Sequence, residues 1–183
     1  MIRKDLYKWK GRLYIWIVVS IIMTILMQGQ AKAVDSSETR RTLSCIKGVM
    51  VMVEEIQPNI KRYAAKSGLI KERLQRTIEA RLIDSNIKLL NWNEWLTTQG
   101  RPLLYINVNT HEYEKYYYSY DIELELKQVV SLEANPEIKT LATTWSIKMT
   151  GAANVGTLNT IKENIMVLVD RFITAYYAVN PKR

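Results

Sequence analysis

Residues 116–132 read YYYSYDIELELKQVVSL, and this stretch determines the fold prediction. Tyrosine and aliphatic side chains occupy the even positions up to Leu126, and polar or charged side chains occupy the odd positions from Ser119 to Lys127. Because successive side chains of a strand point to opposite faces, the alternation predicts a long strand with one buried and one solvated face. Gln128 is a polar residue on the buried side, so we expect a bulge or bend near it.

Two further alternating stretches flank this strand. Residues 104–108 carry apolar side chains at every second position. After the strand, the dipeptide Asn135-Pro136 is typical of a turn. Residues 141–149 then alternate again, with Leu141 and Trp145 on one face. Together the three stretches predict an antiparallel meander.

Two amphipathic helices are predicted from apolar spacings of three and four residues. In residues 67–83 the apolar side chains recur every fourth position, and Ser67 is the expected N-cap. In residues 161–176 the spacing is similar, and the dipeptide Asn180-Pro181 is expected to end the helix.

Shorter segments complete the fold prediction. Residues 49–53 read VMVMV, which is apolar on both faces and typical of a central strand. Residues 87–90 predict a short strand, residues 92–99 are ambiguous, and the small residues of 151–156 predict a loop. The order β-α-(β)-β-β-β-α predicts an α+β fold, a two-layer sandwich with a mostly antiparallel sheet of about four strands and two helices on one face.

The N-terminal segment has the three parts of a secretory signal peptide. A basic start is followed by residues 13–27, which are free of charge and mostly apolar, and then by Ala31-Lys32-Ala33. We therefore expect a signal peptide over residues 1–33, a flexible lead-in over 34–46 and a single domain over 47–183. The alternative is a retained inner-membrane anchor, although 15 helical residues span roughly 22 Å of a hydrocarbon core of ~30 Å. Both place the domain outside the cytoplasm, in a bacterial periplasm or secreted.

Composition excludes several classes of function. The net charge of +8 comes mostly from the N-terminal segment, so nucleic acid is not an expected partner. One cysteine and one histidine exclude a disulfide framework and a zinc site built from Cys and His. We expect no metal and no cofactor. Cys45 is expected to be buried, because apolar residues follow it closely.

Candidates for catalysis are few, and we predict that the protein is not an enzyme. Catalysis requires a nucleophile or proton carrier held beside its partner. His111 lies in a polar stretch between two predicted strands and is expected in a solvated hairpin loop. A hydrolase that uses His111 with Glu112, or with Cys45, is therefore the least favoured function.

Acidic side chains recur on the solvated face of the long strand. Asp121, Glu123 and Glu125 are spaced about 6.6 Å apart along it. We interpret them as a solvated face that keeps the strand soluble, with a Ca²⁺ site or a basic partner as the alternatives.

Aromatic side chains are the candidates for a binding surface. Tyr113 and Tyr117 point away from the tyrosines at even positions, and Trp92 and Trp95 are interleaved with polar residues. Exposed aromatic side chains offer a large rigid contact area at a low entropy cost. The alternative explanation for the tyrosines is core packing and strand propensity. The predicted binding residues are Trp92, Trp95, Tyr113 and Tyr117.

The order of elements resembles small bacterial envelope domains. It is similar to that of the lipopolysaccharide-assembly lipoprotein family of the outer membrane and to that of the N-terminal domain of the Tol-system translocation protein. The resemblance implies a sheet covered by two helices and a role in protein or lipid contacts without catalysis. Cys45 lies far downstream of the apolar run, so a lipid anchor is not expected.

These observations together favour a non-enzymatic binding or assembly protein of the cell envelope. Its sheet edges and aromatic side chains would contact an envelope protein complex or a second copy of the chain. The alternative is a carrier of a lipid or small apolar ligand, with a cavity between the hairpin and the helices closed by Trp145 and the tyrosines. Membrane contact is expected only through the N-terminal segment, if that segment is retained.

Overall fold

A four-stranded sheet organises residues 35–181, which are the part of the chain that the computed structural model describes. Its strands are β1 (Met50–Val53), β2 (Leu103–Glu114), β3 (Tyr117–Leu132) and β4 (Asn135–Asn154), in the order β1-β2-β3-β4. β1 is parallel to β2, and the other two pairings are antiparallel. The α+β class is confirmed, but the sheet is mixed rather than mostly antiparallel.

The strand β1 accounts for this difference. It was expected to be a central strand, yet it lies at the edge of the sheet. Only Val51 and Val53 are buried, while Met52 is 39% exposed. On the other side of β1, the predicted short strand contributes only a single bridge between Val49 and Leu89. Helices connect β1 to β2, and such a crossover allows parallel pairing.

Five α-helices and one 3₁₀ turn are present in the described part of the chain. They are α1 (Ser37–Arg40), the 3₁₀ turn Arg41–Leu43, α2 (Pro58–Ala64), α3 (Lys71–Asp84), α4 (Trp92–Thr97) and α5 (Asn159–Val179). The two predicted helices correspond to α3 and α5. Ser67 is not the N-cap of α3, because its hydroxyl donates to the carbonyl of Ala64 and Ile70 holds the cap position. Helix α2 was not predicted from the sequence.

The segment before β1, which was expected to be a flexible lead-in, contains helical structure in contact with the rest of the domain. Helix α1 and the following turn occupy residues 37–43, and Leu43 is fully buried. Asp35 accepts hydrogen bonds from Arg40 at 2.7 Å and from the indole of Trp145 at 2.9 Å. These contacts fix the segment against β4. The predicted signal peptide of residues 1–33 lies outside the described residues.

Cys45 is exposed, contrary to expectation. Its φ of 62° is in the left-handed region, and its amide donates to Asn180 at 3.0 Å. The turn therefore directs the side chain away from the apolar residues that follow. Among residues 35–181, no helix has both the length and the apolar content to span a bilayer.

One face of the sheet carries the buried side chains and is called the inner face; the opposite face is the outer face. Tyr118 and Tyr120 are buried on the inner face, as predicted, but Tyr116 lies in the hairpin turn with φ of 70° and is 42% exposed. Helix α3 contacts β1, α5 contacts β3 and β4, and the two helices contact each other. The apolar sides of both helices belong to the same buried cluster as the inner face.

A bulge lies near Gln128, as predicted, but the extra residue belongs to β4. Leu126 pairs with Trp145 and the next residue, Lys127, pairs with Thr143, which leaves Thr144 without a partner position. The bulge reverses the alternation of β4. Leu141 and Trp145, which were expected on one face, therefore lie on opposite faces.

The turns at the two ends of β4 also differ from the prediction. β3 ends at Leu132 and β4 begins at Asn135, so the turn precedes Asn135-Pro136. The predicted loop over residues 151–156 is mostly strand, since β4 continues to Asn154. Gly151 faces the ring of Tyr120, and a Cβ at this position would lie 2.4 Å from the Tyr120 hydroxyl. The close approach of this ring explains the glycine.

Candidate interaction surfaces

The far end of the β3–β4 hairpin extends beyond the rest of the sheet. The last pairing between β2 and β3 joins Leu103 to Lys127. Past that point β3 pairs only with β4. Residues 128–142, called the hairpin arm, therefore form a two-stranded ribbon. A ribbon of two strands is only marginally stable by itself in water.

Three large aliphatic side chains of the hairpin arm are exposed. The exposed fractions are 42% for Leu132, 49% for Ile138 and 45% for Leu141. Leu132 has the parity of the inner face and Leu141 lies on the opposite face, so both sides of the ribbon carry exposed apolar groups. Exposed apolar side chains close to one another commonly mark a contact site. Glu133, Glu137 and Lys139 lie among them in the sequence, so charged and apolar groups alternate along the arm.

Hydrogen bonds fasten the base of the arm to the rest of the molecule. The Gln128 side chain donates to the carbonyl of Thr42 at 3.0 Å and to the hydroxyl of Thr144 at 2.8 Å. The amide of Val129 donates to the carbonyl of Gly100 at 2.7 Å. The base is therefore held in place, and the part from residue 131 to residue 141 is exposed.

Trp92 and Trp95 lie on α4, which has a capping box at its start. The Asn91 side chain accepts from the amide of Glu94, and the Glu94 carboxylate accepts from the amide of Asn91, both at 3.0 Å. The two indole rings stack with centroids 5.2 Å apart. Trp95 donates to the carbonyl of Arg101 at 2.8 Å, which fixes its ring as a support for Trp92.

The Trp92 ring is 58% exposed, while Trp95 is half-buried. The segment that follows α4 leads through Gly100, whose carbonyl accepts from the base of the hairpin arm. The tryptophan pair and the arm are therefore linked at the same end of the sheet.

Tyr113 and Tyr117 lie at the other end, beside the β2–β3 turn. Their ring centroids are 6.3 Å apart, and both rings are exposed. The ring of Tyr116 contacts Tyr63 of α2 edge-on at 6.2 Å, and the Lys115 ammonium lies 5.2 Å from the Tyr116 ring centroid. These five residues, together with Arg62 over the Tyr63 ring, are called the Tyr end.

The structure does not bring the four predicted binding residues together. Trp92 and Trp95 precede the start of β2, and Tyr113 lies near its end. Eleven steps separate the ends of β2, which is roughly 36 Å at about 3.3 Å per residue. The aromatic candidates form two separate surfaces.

The acidic side chains of β3 are half-buried and largely engaged. Glu123 pairs with Lys148 at 2.6 Å. Glu125 pairs with Lys127 at 3.1 Å and accepts from the Thr143 hydroxyl at 2.8 Å. The neighbouring strand β4 supplies Lys148 and Thr143, and β3 itself supplies Lys127. Glu123 and Glu125 are therefore paired rather than freely solvated. Within residues 35–181, no group of three or more His, Cys, Asp and Glu side chains is arranged to hold a metal ion.

Tyr105 occupies the middle of this outer face. Its hydroxyl donates to the carboxylate of Glu54, and the Lys127 ammonium lies 4.1 Å from its ring centroid. Burial, and then the hydrogen bond to Glu54, raise the pKa of Tyr105 to about 12. These contacts show that Tyr105 is a well-packed residue at the surface.

The candidates for catalysis are far apart. His111 lies within β2 opposite Ser119, so the predicted hairpin loop is wrong at this position. Its neighbour Glu112 points to the opposite face, since the two are consecutive in a strand. Cys45 precedes β1, whose first residue pairs with Leu103, about eight residues and roughly 26 Å along β2 from His111.

A cleft of about 290 Å³ opens between the end of β1 and helices α2 and α3. Ile56 and Leu69 contribute apolar lining, and Lys61 and Lys71 contribute charge. Glu55 pairs with both lysines, at 3.8 Å and 3.2 Å. The single carboxylate of Glu55 thus offsets part of the positive charge of the two lysines.

The hairpin arm was not predicted from the sequence. The signal was present in the consecutive valines at positions 129 and 130, which place apolar side chains on both faces at once. A strand with one solvated face normally carries a polar side chain at every second position, so two consecutive valines depart from this pattern. Compared with known protein families and with curated proteins, the chain shows no match.

Proposed function

We propose that this protein is an exported, non-enzymatic binding or assembly protein that contacts other proteins of the cell envelope through its hairpin arm. The observation that carries the proposal is the exposure of Leu132, Ile138 and Leu141 on a ribbon that projects past the rest of the sheet. Exposed aliphatic groups on a projecting ribbon cost solubility, and a partner that covers them removes this cost.

The chemistry of the arm suits a protein partner. Its strands offer unpaired backbone donors and acceptors to which an extended segment can add. Apolar side chains supply burial, and Glu133, Glu137 and Lys139 supply the charges that select among partners. The exposed Trp92 lies at the same end of the sheet, where Gly100 bonds to the base of the arm.

Export is part of the proposal and is supported by the basic start, the apolar run and Ala31-Lys32-Ala33. The purified protein is expected to begin at Val34, which N-terminal sequencing determines. A protein that retains residue 1 in the membrane fraction supports the anchored alternative, and one that stays in the cytosol contradicts export.

The proposed architecture is a two-layer sandwich with α3 and α5 on the inner face. It is supported by the contacts of α3 with β1 and of α5 with β3 and β4. An ion pair between Arg81 and Asp170 at 2.7 Å joins the two helices. This layout agrees with the envelope domains that the chain resembles.

The carrier alternative receives less support. It required a ligand cavity between the hairpin and the helices, bordered by Trp145. The Trp145 ring is fully buried and contacts Phe172 with centroids 5.5 Å apart. Side chains of the protein thus occupy the place where the ligand was expected.

The proposal is tested by photo-crosslinking from the hairpin arm in living cells. A benzophenone amino acid is placed at Ile138 of the full-length chain, and the same group is placed at Ile83 as a control. Ile83 lies on α3 and is 58% exposed, so it matches Ile138 in residue type and accessibility. We expect a discrete adduct from Ile138 and none of the same mass from Ile83.

A second pair of variants tests whether the apolar character of the arm is needed. Leu141→Lys in the Ile138 photo-probe chain should reduce the adduct at least about tenfold, because a buried unpaired charge opposes binding. The substitution Val167→Lys is the control, since Val167 is exposed on α5. Equal adducts from Ile138 and Ile83, or an adduct indifferent to Leu141→Lys, contradict the proposed function.

A further inference from the structure

The outer edge of β4 has a long unpaired stretch of backbone. β4 is the last strand of the sheet, and along residues 147–153 no hydrogen bond within the described part of the chain reaches its outer side. The other edge of the sheet is different, because β1 has only four residues and the chain before it bridges to Leu89. In the body of the sheet, residues 147–153 of β4 are therefore a place where another strand can add.

This stretch lacks the usual protection of an edge strand. Soluble proteins commonly protect such edges with charged side chains, proline or a bulge. Residues 147–154 contain no proline, and the bulge at Thr144 lies outside them. Their single charged side chain, Lys148, is held by Glu123 over the chain's own sheet.

We propose that a second copy of this chain pairs with β4, in an antiparallel arrangement whose two-fold axis passes through Thr150. The paired stretch is residues 147–153 of each copy. It is limited at one end by the Thr42 hydroxyl, which donates to the carbonyl of Thr144 at 3.1 Å, and at the other by the backbone of Asn154, which is bonded to Thr157. The two sheets then form one sheet of eight strands. The inference rests on the proposed function and specifies one partner for it.

Side-chain size in this register is self-complementary. Residues at equal distance from Thr150 face each other, so Ile147 faces Ala153 and Met149 faces Gly151 of the other copy. Lys148 likewise faces Ala152, so no like charges are opposed. Each large side chain meets a small one, and the Thr150–Thr150 pair is a favourable cross-strand pair.

Gly151 adds a specific contact to this register. The Tyr120 ring covers the face of Gly151, with its hydroxyl 2.4 Å from the position of a Cβ. The partner's Met149, which is half-buried in one copy, is placed beside this ring. A methionine sulfur beside an aromatic ring is a favourable contact.

The experiment exchanges charge at one exposed position of the full-length chain, purified in the form that the cell releases. Ala152→Lys places a second ammonium opposite the partner's Lys148, and Ala152→Glu places a carboxylate there. Each substitution changes two symmetry-equivalent pairs at once. We therefore expect the dimer dissociation constants of the two variants to differ by roughly tenfold, with the Ala152→Lys dimer weaker than the Ala152→Glu dimer. Sedimentation velocity measures both. Asn93→Lys and Asn93→Glu on α4 are the control pair and should have equal dissociation constants.

A cysteine crosslink tests the position of the axis. Thr150→Cys is introduced with Cys45→Ser, because Cys45 is the only natural cysteine. Directly opposite residues of paired strands have Cβ atoms about 5 Å apart, which oxidation can close to a disulfide. After oxidation, we expect a crosslinked species of twice the chain mass for Thr150→Cys. We expect little of this species for Ser119→Cys, because Ser119 lies on β3, one strand further from the edge.

The two proposals fail in different ways. The dimer is overturned if the two Ala152 variants have equal dimer dissociation constants, or if Thr150→Cys crosslinks no more strongly than Ser119→Cys. In that case an Ile138 adduct still supports the proposed role of the hairpin arm. A Thr150 crosslink of a different mass likewise overturns self-pairing. A Thr150 dimer without any Ile138 adduct overturns the proposed role of the arm and leaves the dimer.

Discussion

The β3–β4 hairpin has two parts that share strands and hydrogen bonding but differ in burial. In the body, residues such as Leu124, Leu126 and Trp145 are fully buried. In the hairpin arm, Leu132 and Leu141 are more than 40% exposed. Helix α5 contacts the strands of the hairpin, while residues 131–141 are exposed without exception.

Alternation in the sequence thus identifies a strand but does not show whether a second layer covers it. Residues 116–132 alternate from one end almost to the other, although only the first two thirds of the strand is buried on its inner face. The inner face of β3 is buried only where a second layer covers it, and the length of α5 rather than that of β3 determines how far this layer reaches. The arm is the part of β3 that extends past it.

The largest expected effect compares one substitution in the two parts. Leu126 and Leu132 occupy positions of the same parity on β3, yet Leu126 is fully buried and Leu132 is 42% exposed. Leu126→Ala should lower the free energy of unfolding by about 3 kcal/mol, because it leaves a cavity. Leu132→Ala should change it by less than about 0.5 kcal/mol. Urea unfolding at equilibrium measures both, and similar losses would show that the arm is buried in solution.

A smaller effect is expected where the segment before β1 joins the body. Hydrogen bonds from Arg40, and secondarily from Trp145, hold the pKa of Asp35 below its ordinary value of 3.8 against the opposing effect of burial. Because the folded state holds this proton less tightly, Asp35 stabilises the fold above pH 3.8, and the contribution is lost as pH falls through the lower folded pKa. Asp35→Asn should cost about 1–2 kcal/mol at pH 7.

Acid unfolding of the wild type and the Asp35→Asn variant checks this expectation. The difference in stability should shrink as pH falls below 3.8. Asp170→Asn is the control, because the Arg81–Asp170 pair is about half exposed and such pairs contribute little. A difference that stays constant down to pH 2 would contradict the role of the Asp35 charge.

The smallest effect concerns the outer face of the body. Tyr105 has a pKa of about 12 through burial and its bond to Glu54, so the fold retains this proton longer than the unfolded chain does. Its contribution to stability is complete below pH 10 and is lost as pH rises toward 12. In tyrosine-labelled NMR titrations the ring of Tyr105 should change near pH 12, and Tyr105→Phe should remove that signal.

Glu54→Gln sharpens the same titration. Burial is the larger cause of the raised pKa, so the midpoint of Tyr105 should fall only part of the way toward 10. A midpoint that returns fully to 10 would show that Glu54 alone sets the value and that the outer face is more solvated than described.

The elements with strong periodicity were predictable. Helices α3 and α5 and the long strand β3 follow their apolar spacing, because each has one consistently buried side. The mixed sheet was not predictable, since the run over residues 49–53 has the same composition whether a strand is central or at an edge. Helix α2 was not predicted; it begins at Pro58, and proline is favoured at the first position of a helix although it is unfavourable further inside one.

The candidate surfaces were only partly predictable. Tyr113, Tyr117 and Trp92 are exposed, whereas Trp95 supports its neighbour, and binding by these four residues stays a prediction. The exposure of the arm depends on the relative lengths of the hairpin and α5. Such a difference arises from tertiary packing, which a local pattern does not record.

The unmatched Thr144 in β4 decides which side chains the projecting ribbon presents to each side. Because Thr143 already pairs with Lys127, a chain without Thr144 would alternate without interruption and keep every preceding side chain on its present face. If Thr144 itself paired with Lys127, every preceding side chain of the strand would turn over, and Leu141 would move to the side where Trp145 lies. One extra residue outside the ladder therefore preserves the display of the ribbon, and its entry into the ladder would exchange that display while the amino acids themselves stay unchanged.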